Sequence, residues 1–76
     1  MVDYLNRLQR AELSDKELEV LTLLVKGLGN KEMASSLFIT EDTVKSRLKT
    51  LFGKLKVHDR TEAAIAAIRH GIVHLE

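Results

Sequence analysis

The sequence predicts an all-α fold, a compact bundle of four helices, on three observations. Apolar residues recur at intervals of three and four along four segments, as they do on the buried face of a helix. Residues suited to capping a helix N-terminus precede these segments, and short turn signals separate them. No segment alternates apolar and polar residues as a strand does, and the 76-residue chain contains no proline. We therefore expect one domain with a single core.

The first two predicted helices are separated by a glycine-containing turn. Ser14 and Glu17 have the spacing of a capping box, so we expect the first helix to begin there. Gly27 and Gly29 mark its end, because glycine readily adopts the left-handed conformation that closes a helix. The second helix is predicted to begin at about residue 30 or 31 and to end at residue 37. The side chains expected to face the core from these two helices are Leu18, Leu21, Leu24, Val25, Leu28, Met33, Ala34, Leu37 and Phe38.

A short connection, 38–40, leads to a third helix that is predicted to span about 41–55. Thr40 is a suitable N-cap, and carboxylates follow it in the first turn, where they interact favourably with the helix dipole. The predicted buried stripe consists of Val44, Leu48, Leu51, Phe52 and Leu55. Two helices joined by so short a turn form the pattern of a helix-turn-helix.

The fourth helix is predicted to begin near residue 59 or 60 and to end at Gly71, a suitable left-handed cap. The side chains expected to face the core, at about 100° per residue, are Ala64, Ala67, Ile68 and Gly71. The candidate dimer surface on the outer flank consists of Ile65, Ala66 and Arg69. The alternative for this flank is an ordinary exposed apolar side chain without a partner.

The net charge of +1 conceals a segregation of charge along the chain. Residues 43–60 contain six basic residues and one acidic residue, a net charge of +5. The remainder contains six basic and ten acidic residues, a net charge of −4. A basic segment on an otherwise acidic body is typical of a protein that binds a polyanion such as nucleic acid. A solvated lysine-rich surface without a ligand is the alternative.

The third helix carries much of this charge on the face opposite its apolar stripe. With Val44 set at 0°, the stripe centres at about 25° and Ser46 lies at about 200°, close to the opposite pole. Lys45 and Lys49 flank Ser46 on one side. The side chains on its other flank are Thr43, Arg47 and Lys54. Such a face suits a major groove, because its centre can approach base edges while the cations reach phosphates. We therefore predict that the helix at about 41–55 is a recognition helix.

Gly53 lies within this predicted helix, where a glycine lowers stability by about 0.5–1 kcal/mol relative to alanine. Its position at about 180° is on the predicted DNA-facing surface. Two interpretations remain open: the glycine permits close approach of DNA, or it is a tolerated surface residue.

Residues 13–73 resemble the LuxR-type, or GerE-type, helix-turn-helix domain almost from end to end. The resemblance rests on three stretches: LSDKELEVLTLLVKGLGNKEMASSLFIT, EDTVKSRLKTLFGKLKV and DRTEAAIAAIRHGIV. It implies a four-helix DNA-binding domain that forms the C-terminal output module of a bacterial transcription factor. The stretch TEDTVKSRLK is similar to NarL-type regulators, which implies a two-component response regulator with an N-terminal receiver domain as the parent protein.

The resemblance also implies a set of contacts when the family pattern is matched position by position. The positions that meet the major groove are Lys45, Ser46 and Lys49. The positions that contact or approach phosphates are Asn30, Lys31, Thr43, Arg47, Lys54 and Arg60. The implied partners are double-stranded DNA with two half-sites, a second copy of the chain that dimerises through the last helix, and RNA polymerase.

Two residues depart from the family pattern. Arg47 occupies a place usually held by His or Asn, which adds charge beside Ser46. Gly29 replaces the usual Ser or Thr, which removes half of a capping box. The preferred DNA sequence therefore cannot be inferred by analogy.

The composition and motifs argue against catalysis and metal binding. The chain has no cysteine, and His70 and His74 lack the further ligands that a zinc site needs. No set of nucleophile, base and carboxylate is recognisable, and there is no glycine-rich phosphate loop, so we expect no enzyme activity and no cofactor. Because the sequence shows neither a long apolar run nor a signal peptide, we expect a cytoplasmic protein that does not associate with membranes.

The expected organisation has three parts: an N-terminal tether or short extra helix at 1–12, the helix-turn-helix domain at 13–73, and a tail at 74–76. Leu75 and Glu76 match a common vector-derived ending and receive no functional role. The predicted function is sequence-specific DNA binding for transcriptional regulation. The alternatives are a helical protein-interaction module, the DNA-binding region of a sigma factor, and a stand-alone regulator.

Overall fold

Four α-helices make up most of residues 13–73, the part of the chain that the computed structural model describes. The helices are α1 (Asp15–Val25), α2 (Asn30–Leu37), α3 (Glu41–Leu55) and α4 (Arg60–Arg69). No strand occurs in this part of the chain, and the all-α prediction is confirmed. The tether or helix expected at 1–12 and the tail expected at 74–76 lie outside the described residues.

Polar side chains cap the N-termini of α1 and α3 as the sequence predicts. In α1, the Oγ of Ser14 accepts a hydrogen bond from the N–H of Glu17 at 3.1 Å, and Oε1 of Glu17 accepts one from the N–H of Ser14 at 2.9 Å. Oγ1 of Thr40 caps α3 by accepting from the N–H of Thr43 at 3.1 Å. These bonds satisfy amide groups that have no partner within a helix, and they fix where each helix begins.

The core is built around α1 and α3, each of which packs against all the other helices. The predicted stripe of α3 is confirmed, because Val44, Leu48, Leu51 and Leu55 are buried and Phe52 is half-buried. The other buried apolar side chains of the core are Leu13, Val20, Leu21, Leu24, Met33, Ala34, Ala63, Ala66, Ala67, Ile72 and Val73. Since this stripe anchors α3 along one side, the opposite side of the helix faces solvent.

Phe38 does not face the core, and the prediction that it would was wrong. It is the C-cap of α2 in the left-handed conformation, with φ of 59°, and it is 94% exposed. The helix has already ended, so the turn rotates the Phe38 side chain away from the inner face. The following residue, Ile39, donates its N–H to the carbonyl of Ala34 at 3.0 Å and packs against the core instead.

The orientation of α4 also differs from the prediction. Ala66, expected on the outer flank, is only 9% exposed, whereas Ile68, expected in the core, is 47% exposed. Gly71, also expected to face inward, is exposed, but its φ of +68° confirms it as the left-handed cap. The physical reason is the small size of the buried side chains: alanines on the inner side of α4 let the helix pack closely against α1 and α3. The larger apolar side chains beyond the helix, Ile72 and Val73, then fill the core.

Candidate nucleic-acid interface

The helix-turn-helix places α3 with one face against the core and the other in solvent. Lys45, Ser46 and Lys49 are exposed on this outer face, as the angular analysis predicts. Arg47 and Thr43 are half-buried at its edge. The structure therefore brings together, on one helix face, the three residues predicted for base contacts and two of those predicted for phosphate contacts.

The cationic side chains in the first half of α3 have no bonding partner within the described part of the protein. The side chains of Lys45, Arg47 and Lys49 form neither an ion pair nor a hydrogen bond with any group in residues 13–73. The Ser46 hydroxyl also forms no hydrogen bond with residues 13–73. The Ser46 carbonyl accepts one from the hydroxyl of Thr50 at 3.3 Å. These side chains are free to bind an external anion or a base edge.

The side chain of Thr43, unlike those of Lys45, Arg47 and Lys49, forms a hydrogen bond within the protein. Its hydroxyl lies 2.9 Å from the hydroxyl of Thr40, and its N–H donates to the same Thr40 oxygen. The N-cap residue Thr40 therefore restricts the rotamer of Thr43 in the first turn of α3.

Lys54, predicted to contact phosphate, is bonded within the protein. Its Nζ lies 2.9 Å from Oε1 of Glu17 in α1. Burial of the Glu17 side chain by itself raises the pKa of that carboxyl. The hydrogen bonds from Lys54 and Ser14, together with the positive charge of Lys54, outweigh burial and hold the pKa below its ordinary value. The sequence indicates only a capping role for Glu17, because two residues 37 positions apart leave no local signal of their contact.

Arg60 and Asn30, both predicted to contact phosphates, are bonded to each other. Nη1 of Arg60 donates to Oδ1 of Asn30 at 2.8 Å, and Nη2 donates to the carbonyl of Leu28 at 2.6 Å. The guanidinium at the start of α4 therefore connects that helix to the start of α2. The acceptor in Leu28 is a main-chain group, which no side-chain pattern could have revealed.

The start of α2 presents Lys31 to solvent. Lys31 is exposed, and its side chain has no hydrogen bond or ion pair with residues 13–73. Glu32 forms the surviving half of the capping box, since its Oε1 accepts the N–H of Gly29 at 2.8 Å while glycine has no side chain to return the bond. The predicted loss of half a capping box at Gly29 is confirmed.

Residues 13–73 contain neither a cluster of metal-ligating side chains nor a helix that could span a membrane. No group of three or more His, Asp or Glu side chains there is arranged to hold a metal ion. None of the four helices has both the length and the apolar character that crossing a bilayer requires.

Comparison with known proteins identifies the family. Residues 11–67 match the profile described as GerE, bacterial regulatory proteins of the luxR family. This chain belongs to the luxR family. The family assignment agrees with the four-helix fold, and together they support a role in DNA-binding transcriptional regulation.

Curated relatives extend the comparison. The chain is 49% identical over 61 residues to the transcriptional regulatory protein LnrK of Bacillus subtilis, covering 80% of this chain and 28% of LnrK. It is 42% identical over 78 residues to the response regulator protein VraR of Staphylococcus saprophyticus, and 41% identical to VraR of Staphylococcus aureus. Both VraR matches cover 96% of this chain and 37% of the relative. The chain thus spans between about a quarter and two fifths of the length of these relatives.

Proposed function

We propose that the domain binds double-stranded DNA in a sequence-specific manner and places α3 in the major groove. The observation that carries this proposal is the outer face of α3, where Ser46 lies among Lys45, Arg47 and Lys49 and no described group of the protein engages these cations. Cations that lack internal partners can neutralise phosphates, and the counterions released on binding favour the complex.

The proposed contacts divide into base readout and positioning. Lys45 and Lys49 donate to acceptors on base edges, with guanine as the preferred base for lysine, and the Ser46 hydroxyl either donates or accepts. The proposed phosphate contacts from the described helices are Asn30, Lys31, Thr43 and Arg47. Such contacts fix the orientation of the protein on the duplex, and base contacts select the sequence.

Lys54 and Arg60 have a different proposed role from the one that the family pattern implies. Their bonds to Glu17, and to Leu28 and Asn30, favour a role in holding α3 and α2 in place. Of the cations predicted to contact DNA, four remain: Lys31, Lys45, Arg47 and Lys49. If all four reach DNA anions, the logarithm of the binding constant falls with the logarithm of salt with a slope of about −3 to −4 per domain.

The parent protein is proposed to be a two-component response regulator with an N-terminal receiver domain, of which this chain is the output domain. Two relatives that match 96% of the chain are named response regulators, and both are much longer than the chain. In this proposal the protein acts in the cytoplasm, where it regulates transcription together with RNA polymerase. A sigma factor or a stand-alone regulator is the alternative parent, and the native sequence upstream of residue 1 distinguishes them.

Dimerisation on two half-sites is proposed to use the outer face of α4. Ile65 is 50% exposed and Ile68 is 47% exposed, and Arg69 lies beside them. An open groove of about 310 Å³ borders Ile65 and is lined by Leu24, Arg60, Thr61, Ala64 and Ile65. Ala66 is no part of this proposed surface, because its side chain is buried within the monomer.

Selection of bound duplexes from a random pool tests the proposed function. Sequence-specific binding predicts an enriched motif, and a duplex with this motif is expected to bind about 10³-fold or more tightly than a scrambled duplex at the same salt concentration. A helical protein-interaction module, the alternative function, predicts no enriched motif and no preference between the two duplexes.

A further inference from the structure

Arg60 uses two nitrogens of its guanidinium on two different acceptors. Nη1 donates to Oδ1 of Asn30 at 2.8 Å and Nη2 donates to the carbonyl of Leu28 at 2.6 Å. Both bonds are partly buried, and they cross from the first residue of α4 to the turn before α2 and to the first residue of α2. Both of these nitrogens of Arg60 therefore have acceptors within the protein.

The chemistry of the guanidinium fixes the orientation of the Asn30 carboxamide. An arginine side chain has donors but no acceptor, so the atom of Asn30 that faces it must be the oxygen, and the NH₂ group must point elsewhere. The Nδ2 of Asn30 donates to no group in residues 13–73. No buried side-chain nitrogen or oxygen in that part of the chain lacks a partner, so Nδ2 of the half-buried Asn30 is accessible to solvent.

We propose that Arg60 is a positioning residue for DNA binding that acts through Asn30. By holding Oδ1, Arg60 turns the NH₂ group of Asn30 outward beside Lys31, where it donates a hydrogen bond to a DNA phosphate. Arg60 itself does not contact the phosphate. The inference rests on the proposed function, since it concerns the same DNA surface, and it assigns two distinct roles to residues that the family pattern treats alike.

Replacement of Arg60 distinguishes this role from a direct phosphate contact. Lysine keeps the positive charge but has a single nitrogen, so it cannot hold both acceptors in the planar arrangement. Arg60→Lys and Arg60→Ala are therefore both expected to bind the selected duplex about fivefold more weakly than the wild type. Because Asn30 is neutral, the salt slope of Arg60→Ala is expected to equal that of the wild type.

A double-mutant cycle with Asn30 supplies the second test. Asn30→Ala removes the donor, so it is expected to weaken binding by about fivefold, and adding Arg60→Ala to it is expected to cause no further loss. Fluorescence anisotropy at 10 °C gives the affinities, and circular dichroism at the same temperature verifies that each variant is folded. Lys16→Ala, which removes an exposed positive charge from α1, is the control and is expected to bind like the wild type.

Three results would overturn the proposal. In the first, Arg60→Lys binds like the wild type and Arg60→Ala lowers the salt slope by about 0.9, which identifies a direct phosphate contact. In the second, the effects of Arg60→Ala and Asn30→Ala multiply in the double variant. In the third, the folded Arg60 variants bind like the wild type, which leaves the two bonds a purely structural role. Failure of the wild type to prefer the selected duplex would instead reject the proposed function.

Discussion

The ammonium group of Lys54 lies 2.9 Å from Oε1 of Glu17, and this ion pair joins the last turn of α3 to the first turn of α1. The same carboxylate oxygen accepts the N–H of Ser14, so one side chain both caps α1 and holds α3. The Glu17 side chain is 10% exposed and the Lys54 side chain is 38% exposed, so solvent screens the pair from the lysine side. The orientation of the proposed DNA-binding helix thus depends on a residue outside the helix-turn-helix.

Glu17→Gln is expected to destabilise the domain by about 1–2 kcal/mol at neutral pH, because it removes the charge from this pair and weakens the cap. The effect should depend on pH. Since the pKa of Glu17 is lowered in the folded state, its stabilising contribution is present above the ordinary pKa of 4.5 and is lost as the pH falls through the folded-state value. Urea denaturation between pH 3 and 7 measures this dependence.

The control for this prediction is Glu19→Gln, at an exposed position of α1. It should change stability little at any pH. If the loss of stability in Glu17→Gln stays constant from pH 7 to pH 3, the ionised Glu17–Lys54 pair does not stabilise the domain.

Phe38→Asn tests the conformation of the turn between α2 and α3. Phe38 has a φ of 59° and is 94% exposed, and asparagine adopts the left-handed conformation more readily than phenylalanine does. We expect the thermal stability to stay constant or to increase slightly. A loss of about 3–5 kcal/mol, the usual cost of truncating a core phenylalanine, would show that Phe38 is buried in solution.

Gly53→Ala addresses the two interpretations of the glycine in α3. An added Cβ at Gly53 would meet no atom within 4 Å, so nothing in the described part of the fold requires glycine there. We expect the free energy of unfolding to rise by about 0.5–1 kcal/mol. The affinity for the selected duplex then separates the interpretations, because a tolerated surface glycine predicts no change and close approach of DNA predicts weaker binding.

Ile65→Asp tests the proposed dimer surface on α4. Because Ile65 is half exposed, the variant should fold as a monomer, but it should bind a duplex with two half-sites with less cooperativity than the wild type. Binding to a single half-site should not change. Ser36→Asp, at an exposed position of α2, serves as the control. Full cooperativity in Ile65→Asp would exclude this side chain from the dimer surface.

The features that the sequence predicted correctly depend on local physics. The capping pair Ser14 and Glu17, the cap at Thr40 and the buried stripe of α3 each follow from residues within a few positions of one another. The placement of Lys45, Ser46 and Lys49 on one exposed face follows from the same helical periodicity. The identities of residues close together in sequence were therefore sufficient to predict the helices and the centre of the candidate interface.

The features that sequence analysis missed depend on how distant parts of the chain pack. The burial of Ala66 and the exposure of Ile68 follow from the close contact of α4 with its neighbours, which helical periodicity alone does not report. The partner of Lys54 lies 37 residues away, and one of the acceptors of Arg60 is a main-chain carbonyl. The family resemblance implied phosphate contacts for these two cations, and their internal acceptors become visible only in the folded structure.

A salt titration of duplex binding by the Lys45→Ala/Lys49→Ala variant tests whether the outer face of α3 binds DNA. Each substitution is expected to weaken binding to the selected duplex by about 1–3 kcal/mol. If both cations also neutralise phosphate charge, the salt slope of the double variant should be smaller than that of the wild type by about 1.8. The control, Lys16→Ala/Lys26→Ala, removes two exposed positive charges in α1 and at its C-cap, and it should retain the affinity of the wild type. Full retention of duplex affinity by the folded Lys45→Ala/Lys49→Ala variant would show that the outer face of α3 does not bind DNA.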